Sequence, residues 1–384
     1  MTRLITRREF ALAAGLTLGG LLAGCAPQAP RPSSSSSNQG KGGSGVTEST
    51  TTSSSQSGQP ASSSIQVVDL HCDTVGPLGL ADYEPYATLQ VPRRSGTLAQ
   101  NDCEVSASRL RGMQLAQCYA VWTPDDCPST SYREFYRAEA DWFLGQMKEC
   151  ADTLTQVRDF RDIPGILAAG KVAAILTVEN AAALEEGLEV VDEYAADGVK
   201  IAGLTWNGRN ALGSGHESAD GLTKLGRQYV AALEEHGIVA DVSHLNDAGF
   251  WELEKITARP FIATHSNARA ICDVPRNLTD DQFRAIAERG GIVGLNYHQG
   301  FVHESGKEYG FDQLVAHVEH WLELGGEDVI ALGADRDGST IPAWLADCSA
   351  QKDLYDQMKQ RLGETITRKL FAENALRFLQ AYES

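Results

Sequence analysis

His71 and Asp73 stand two residues apart in the stretch VVDLHCDT, residues 67–74. Val67, Val68 and Leu70 read as a buried strand, and residues two apart on a strand share a side. His71 and Asp73 can therefore converge on one point while Cys72 faces away. An imidazole and a carboxylate that converge suit a metal ion or a proton-transfer site. A satisfied polar pair capping a strand gives the same local pattern, so this pair decides nothing alone.

The same kind of ending recurs along the chain. KVAAILTVEN reaches Glu179, GIVADVSHL reaches His244, and PFIATHSN reaches His265. GIVGLNYH runs into Asn296 and His298, and VIALGADRDG into Asp335. Together these give three histidines (His71, His244, His265) and three carboxylates (Asp73, Glu179, Asp335). That exceeds the usual ligand set of one tetrahedral zinc. It suits two ions a few ångströms apart that share a carboxylate, and imidazole ligands favour zinc over magnesium or calcium. The remaining histidines carry less. His317 and His320 are i,i+3 neighbours on a helical pattern, the usual mark of a solvated face. His236 sits in a last helical turn, where positive charge is favourable. His216 and His303 fall in loops, His216 close to the rim of the fourth strand.

These groups need elements to hold them. Apolar, β-branched runs at 66–71, 115–121, 172–178, 200–205, 238–243, 261–264, 292–296 and 329–334 read as strands. Helical patterns lie between most of them, among them SYREFYRAEADWFLGQMKEC, LTKLGRQYVAALEEHG and FDQLVAHVEHWLELGG. LTDDQFRAIAERGG carries Thr279 ahead of an acidic first turn and closes on Gly290-Gly291, a capped helix. Eight strands alternating with helices predict an α/β fold, a (β/α)8 TIM-like barrel, whose chemistry gathers at the C-terminal rim of the strands. A doubly wound open sheet is the alternative, but no GxGxxG follows the first strand to support dinucleotide binding.

The N-terminus has a different character. MTRLITRREF is basic and carries Arg7 and Arg8, and the apolar run after it is shorter than the roughly 20 residues of a spanning helix. It ends in Leu22-Ala23-Gly24-Cys25, which resembles a lipobox whose Cys25 is lipidated, so residues 1–25 read as a twin-arginine lipoprotein signal. Residues 26–64, rich in Ser, Gly and Thr, bury too little apolar surface to order and read as a tether. Residues 65–384 are then the folded domain, which would carry any catalytic site. The expected location is extracytoplasmic, lipid-anchored to a bacterial membrane. A formal net charge of −18 argues against nucleic acid. Of the eight cysteines, seven remain after Cys25; the odd number leaves at least one thiol unpaired within the chain, and no CxxC suggests a cysteine zinc site.

DLHCDT, DVSHLND, ATHSNARAICDVPRNLTDDQFRAIAERGGIVGLN and ALGADRDG resemble the membrane dipeptidase (renal dipeptidase) family over nearly all of the chain from about residue 65. The resemblance implies an amidohydrolase-type barrel with two Zn2+ ions that hydrolyses dipeptides, often with a D-residue at the C-terminal position. It implies His71 and Asp73 on one ion, His244 and His265 on the other, and Glu179 bridging both. Arg276 would hold the substrate's terminal carboxylate, a task suited to a guanidinium fork. Asp335 would carry the proton, making it and Glu179 the catalytic carboxylates. Trp206, Asn207 and His298 would line the substrate.

Two departures stand out. The family usually follows its bridging glutamate with Gly-Gly, where this chain has Asn180 and Ala181. Many members read Leu-Thr-His in the fourth strand, where this chain has Trp206 in LTWNGRN. Two other readings compete with a dipeptidase: a binuclear amidohydrolase acting on a non-peptide amide or lactam, and a non-catalytic dipeptide-binding lipoprotein. The expected partners are a dipeptide and, through the anchor, a membrane; a homodimer is an option the sequence leaves open.

Overall fold

The computed structural model describes residues 64–81, 83, 89, 92–110, 112–127 and 131–383. The signal segment 1–25 with Cys25, and the tether apart from Ser64, lie outside the described residues. Among the described residues no helix is long and apolar enough to cross a membrane.

The strands are β1 (Ile65–Cys72), β2 (Met113–Trp122), β3 (Leu154–Gln156), β4 (Val172–Glu179), β5 (Val199–Gly203), β6 (Val239–Asp241), β7 (Val293–Leu295) and β8 (Ile330–Leu332). All pair in parallel, in the order β6-β5-β4-β2-β1-β8-β7. The expected strand 261–264 is reduced to two parallel bridges, Asp241↔Ile262 and Ala263↔Val293. Those bridges join β6 to β7 and close the ring, so the expected barrel holds. β3 was not expected. It pairs with the first residues of β4, Val172 to Ala174, just before β5 takes over at Leu176.

Every residue of β4 is buried, as a parallel strand covered on both faces requires. Its alternation sets the chemistry. Ala173 and Ile175 belong to an inner cluster with Val68, Leu70, Ala116, Ile201 and Val239, closed off by Phe378 and Leu379 of the C-terminal helix Asn374–Tyr382. Ala174, Leu176 and Val178 face the helical layer instead. Glu179 shares the parity of Ile175, so it points into the barrel at its rim.

Strand β1 departs from strict alternation. Val68 and Leu70 pack inside whereas Val67 and Cys72 pack outside. The pairing with β2 shifts register between Asp69 and Cys72. That extra residue is a bulge, and it turns His71 inward where unbroken alternation would leave it beside Val67.

The helices follow their signals. Thr279 and Gln282 form a reciprocal capping box on the helix Asp280–Glu288, and Gly290 beyond its end takes φ 76°. The helices Tyr132–Glu149, Lys224–Glu235 and Phe311–Glu323 match the other three patterns. His317 corrects one expectation. It is fully buried rather than solvated, accepting from Ala268 N at 3.2 Å and meeting Val302 O at 3.0 Å. It ties down the segment that carries Arg276. His320 pairs with Asp280 at 2.8 Å. The seven described cysteines are all free, so no disulfide staples this core.

Candidate metal centre

The strand ends bring the candidate ligands together. Glu179 sits at the centre, with Oε1 2.8 Å from His244 Nε2 and 3.8 Å from His265 Nε2, and Oε2 3.5 Å from His71 Nε2. His71 Nε2 also lies 3.3 Å from Asp73 Oδ2 and 3.9 Å from Asp335 Oδ1. The rings of His71 and His265 stack at 3.7 Å. Two overlapping donor groups result, His71–Glu179–His265 and His71–Asp73–Asp335, all buried. His71 Nε2 and Asp73 Oδ1 are buried with no hydrogen-bond partner. Orphaned polar atoms converging from imidazole and carboxylate suit a transition-metal cation, which would satisfy them.

Neighbours orient these donors. Thr264 Oγ1 donates to Asp241 Oδ2 at 2.5 Å and lies 2.7 Å from His265 Nδ1. The hydroxyl has one proton, and Asp241 takes it, so His265 Nδ1 must donate. His244 Nδ1 meets Asn207 Oδ1 at 2.9 Å, an acceptor, so it too carries its proton there. Both Nε2 atoms are left as lone pairs aimed at the centre, the state a metal requires. Asn296 Nδ2 donates to Asp335 Oδ2 at 3.0 Å and to His265 O at 3.2 Å, linking the proton-carrying candidate to a ligand strand.

Electrostatics fit the same picture. Burial, reinforced by Asp73, pushes Glu179 up to about 8 although His71 pulls it down. Burial pushes Asp335 up to about 6. Burial opposes charge on His71, but Asp73 and Glu179 outweigh it and hold the imidazole well above its usual range. His265 is held well below, by burial and then by His71. Without a cation, the cluster holds protons that a cation would displace.

Backbone strain gathers at this rim. Asn180, His244, Asp335 and Asp337 all have positive φ, between 60° and 70°. Such conformations persist where surrounding structure demands them. Asn180 answers one departure from the family pattern. Its φ of 66° is one that glycine adopts freely and asparagine tolerates. Its amide donates to Thr123 O at 2.7 Å and receives Asn210 Nδ2 at 2.8 Å. Gly338 is forced: a Cβ there would stand 1.8 Å from Asp73 Oδ2.

Around the cluster, Arg276 is buried, giving Nη1 to Ser266 Oγ at 2.6 Å and Nη2 to His265 O at 3.0 Å. Burial pulls it down to about 10, and its Nε has no partner. Trp206 lies 6.3 Å from the His244 ring and meets Trp122 edge-on at 5.2 Å. Asn207 is placed against His244. His298 stands further out, packed edge-on to Phe301 at 4.4 Å and accepting from Thr340 N at 3.2 Å. The His216 ring is 6.0 Å from that of His244, and burial followed by the charge of Arg276 pushes it down to about 4.

Sequence reasoning missed Asp241, Thr264 and Trp122 as site residues. Asp241 shares the inward parity of Val239, and Thr264 that of Ile262, so alternation already pointed both toward the barrel interior.

The family model described as membrane dipeptidase (peptidase family M19) matches residues 58–384. A metallo peptidase from Rhodobacter sphaeroides, solved with a phosphinate mimic of L-Ala-D-Ala, superposes with a TM-score of 0.73 at 26% identity, covering 83% of this chain and 99% of its own. The dipeptidase AC, a metallo peptidase of family M19, also gives 0.73 at 26% identity, over 84% of this chain and 100% of its own. An uncharacterized protein in the pqqA 5' region of Klebsiella pneumoniae is 34% identical over 222 residues, which is 54% of this chain and 82% of that protein. With a candidate metal-ligand cluster at the rim of a parallel barrel and the family model spanning the folded part, this chain belongs to the membrane dipeptidase family, peptidase family M19, and is a metal-dependent hydrolase.

Proposed function

We propose that the chain is a zinc-dependent dipeptidase with a binuclear centre. The observation that carries this is Glu179: its two oxygens face separate sets of histidines, Oε1 toward His244 and His265, Oε2 toward His71. A carboxylate so placed suits a bridge between two ions, with His71 and Asp73 on one and His244 and His265 on the other. Two zinc ions held there would supply an activated hydroxide and polarise the scissile carbonyl.

The chain's own residues do the rest. Arg276, buried beside His265, is suited to bind the substrate's terminal carboxylate. Asp335, held by Asn296 and raised toward neutrality, can pass a proton to the leaving amine. Asn207 and Thr264 keep the two histidines in the tautomer that ligates. A D-residue at the C-terminal position is supported by the L-Ala-D-Ala mimic bound to the Rhodobacter relative. Trp206 and Trp122 give one wall an apolar character, and indole can only donate a hydrogen bond.

Metal analysis of the full chain, with turnover of L,L and L,D dipeptides, tests the reading. About two zinc ions per chain and hydrolysis of free dipeptides are expected. Turnover of a non-peptide amide or lactam in place of dipeptides would overturn it in favour of the amidohydrolase alternative, and tight dipeptide binding without turnover in favour of the binding protein. Export and anchoring through Arg7, Arg8 and Cys25 form a separate part of the proposal; Cys25→Ala should abolish lipid labelling and leave the chain unprocessed or release it from the membrane fraction.

A further inference from the structure

One half-buried histidine near the centre is not explained by metal binding. His216 Nδ1 is buried and has no hydrogen-bond partner. Its ring lies 6.0 Å from that of His244, on a loop that tight packing holds in place. Gly215 N donates to Gly208 O at 2.6 Å, Glu217 N donates to Asn207 O at 3.0 Å, and Gly215 bridges to Leu245. A Cβ on Gly215 would stand 1.9 Å from Trp206 O, so only glycine lets the loop lie this close to the Trp206–Asn207 backbone. The ring is thus fixed beside the metal ligand while one of its nitrogens has nothing to bond.

Arg276 has the matching feature. Two of its nitrogens are engaged by Ser266 and His265, while Nε is buried without a partner. Leaving a buried polar atom unpaired is costly, and such atoms are commonly completed by a ligand. The His216 ring neighbours His244, whose ring is 5.1 Å from that of His265, the residue whose carbonyl Arg276 holds; two unpaired nitrogens so placed call for an acceptor with more than one oxygen. A carboxylate provides that.

We propose that His216 and Arg276 together bind the terminal carboxylate of the substrate, with His216 as a specificity-determining residue. The uncharged ring donates from Nδ1 to one carboxylate oxygen and Arg276 donates to the other. The guanidinium supplies the charge. The imidazole supplies direction. This rests on the dipeptidase reading only for the source of the carboxylate.

Binding, measured without turnover, tests it. The probes are a phosphinate analogue of an alanyl-alanine dipeptide and the same analogue with its terminal carboxylate amidated, titrated by calorimetry into the zinc-loaded full chain. Wild type should prefer the acid to the amide. His216→Ala should weaken the acid by about 10–100-fold, the usual worth of a hydrogen bond to a charged group, and leave the amide unchanged. His216→Gln, which keeps a donor, should restore most of the loss. Equal weakening of acid and amide would assign His216 a structural role and overturn the proposal. So would a wild type that binds the two equally or binds neither, or a His216→Ala variant that still binds the acid fully. Preference for the acid without hydrolysis of any dipeptide would instead remove the dipeptidase reading and leave His216 in its role.

Discussion

His244 and His265 present their Nε2 atoms to each other at 3.1 Å, and the groups behind them make both atoms lone pairs. Asn207 Oδ1 takes the proton of one ring; Thr264, committed to Asp241, takes the proton of the other. Two lone pairs at that distance repel unless a cation lies against them, with Glu179 Oε1 completing the donor set.

Thr264 is therefore the residue to remove. Thr264→Val keeps the shape but deletes the hydroxyl that orders His265. Zinc affinity should fall by about 10–100-fold, the usual effect of losing a group that orients a ligand. Thr264→Ser should hold most of it. A competition titration with a chromogenic chelator reads both variants, and equal affinity in wild type and Thr264→Val would remove the relay from the design.

The pH dependence has a definite sign above the ordinary imidazole range, below which His265, held low by burial, acts in the opposite direction. Glu179 and Asp335 are raised to about 8 and about 6, first by burial. A carboxyl whose folded pKa is raised contributes stability below its unfolded value and loses it as pH climbs toward the folded value. His71, raised by its carboxylate neighbours, acts in the same direction. The chelator-stripped protein should lose stability between about pH 6.5 and 8. Zinc needs these groups deprotonated, so it should raise Tm more at pH 8 than at pH 5. Thermal scans with and without chelator measure the difference; a larger zinc effect at pH 5 would refute the assignment.

Gly338 tests the packing of the rim. A methyl group 1.8 Å from Asp73 Oδ2 must displace either the carboxylate or the loop. Gly338→Ala should lose bound metal and activity, and its far-ultraviolet circular dichroism should match wild type because the strands lie below the contact. Full metal content in that variant would show that Asp73 does not need its observed position.

The strand ends made most of the centre legible. His71, Glu179, His244, His265 and Asp335 each close an apolar run, and a parallel barrel collects such ends on one rim. The reason His71 points inward was not legible, because a bulge between Asp69 and Cys72 depends on how β1 meets its neighbours. The strand at 261–264 was placed correctly, yet it pairs through only two bridges. Ladder length reflects the whole ring rather than the local sequence. His317 was misread because its i,i+3 spacing with His320 says nothing of the loop that packs over one of them. Asp241 and Thr264 carry the parity of a barrel interior, but their hydrogen bonds depend on two strands lying side by side.

Asp69 and Arg336 illustrate the support beneath that rim. Both are almost fully buried, 3.2 Å apart, and Asp69 Oδ1 also receives Ala334 N at 2.9 Å. Removing one partner of such a pair strands a buried charge and costs about 3–5 kcal/mol. Asp69→Ala should destabilise the chain by that order in a denaturant titration. The double variant Asp69→Leu, Arg336→Met should be much less destabilised, since no charge is left unpaired. A loss in the double variant equal to the single one would mean that shape, not charge, holds β1 to β8.

Glu179 separates function from stability most sharply. In Glu179→Gln one oxygen becomes an amide nitrogen, which donates and cannot ligate. Whichever set loses its oxygen, His71 on one side or His244 and His265 on the other, an ion should leave, and activity should fall by at least about 100-fold. The metal-free variant should behave in the opposite way. Wild-type Glu179 must ionise in a buried site as pH approaches about 8, whereas glutamine has nothing to ionise. Stripped Glu179→Gln should therefore melt above stripped wild type at pH 8.5 and close to it at pH 4, where Glu179 is protonated in either state. Metal analysis and thermal scans on the same preparations read both effects. Retention of two ions with full activity would show that Glu179 does not bridge, and a lower melting temperature at pH 8.5 would show that its burial does not oppose its charge.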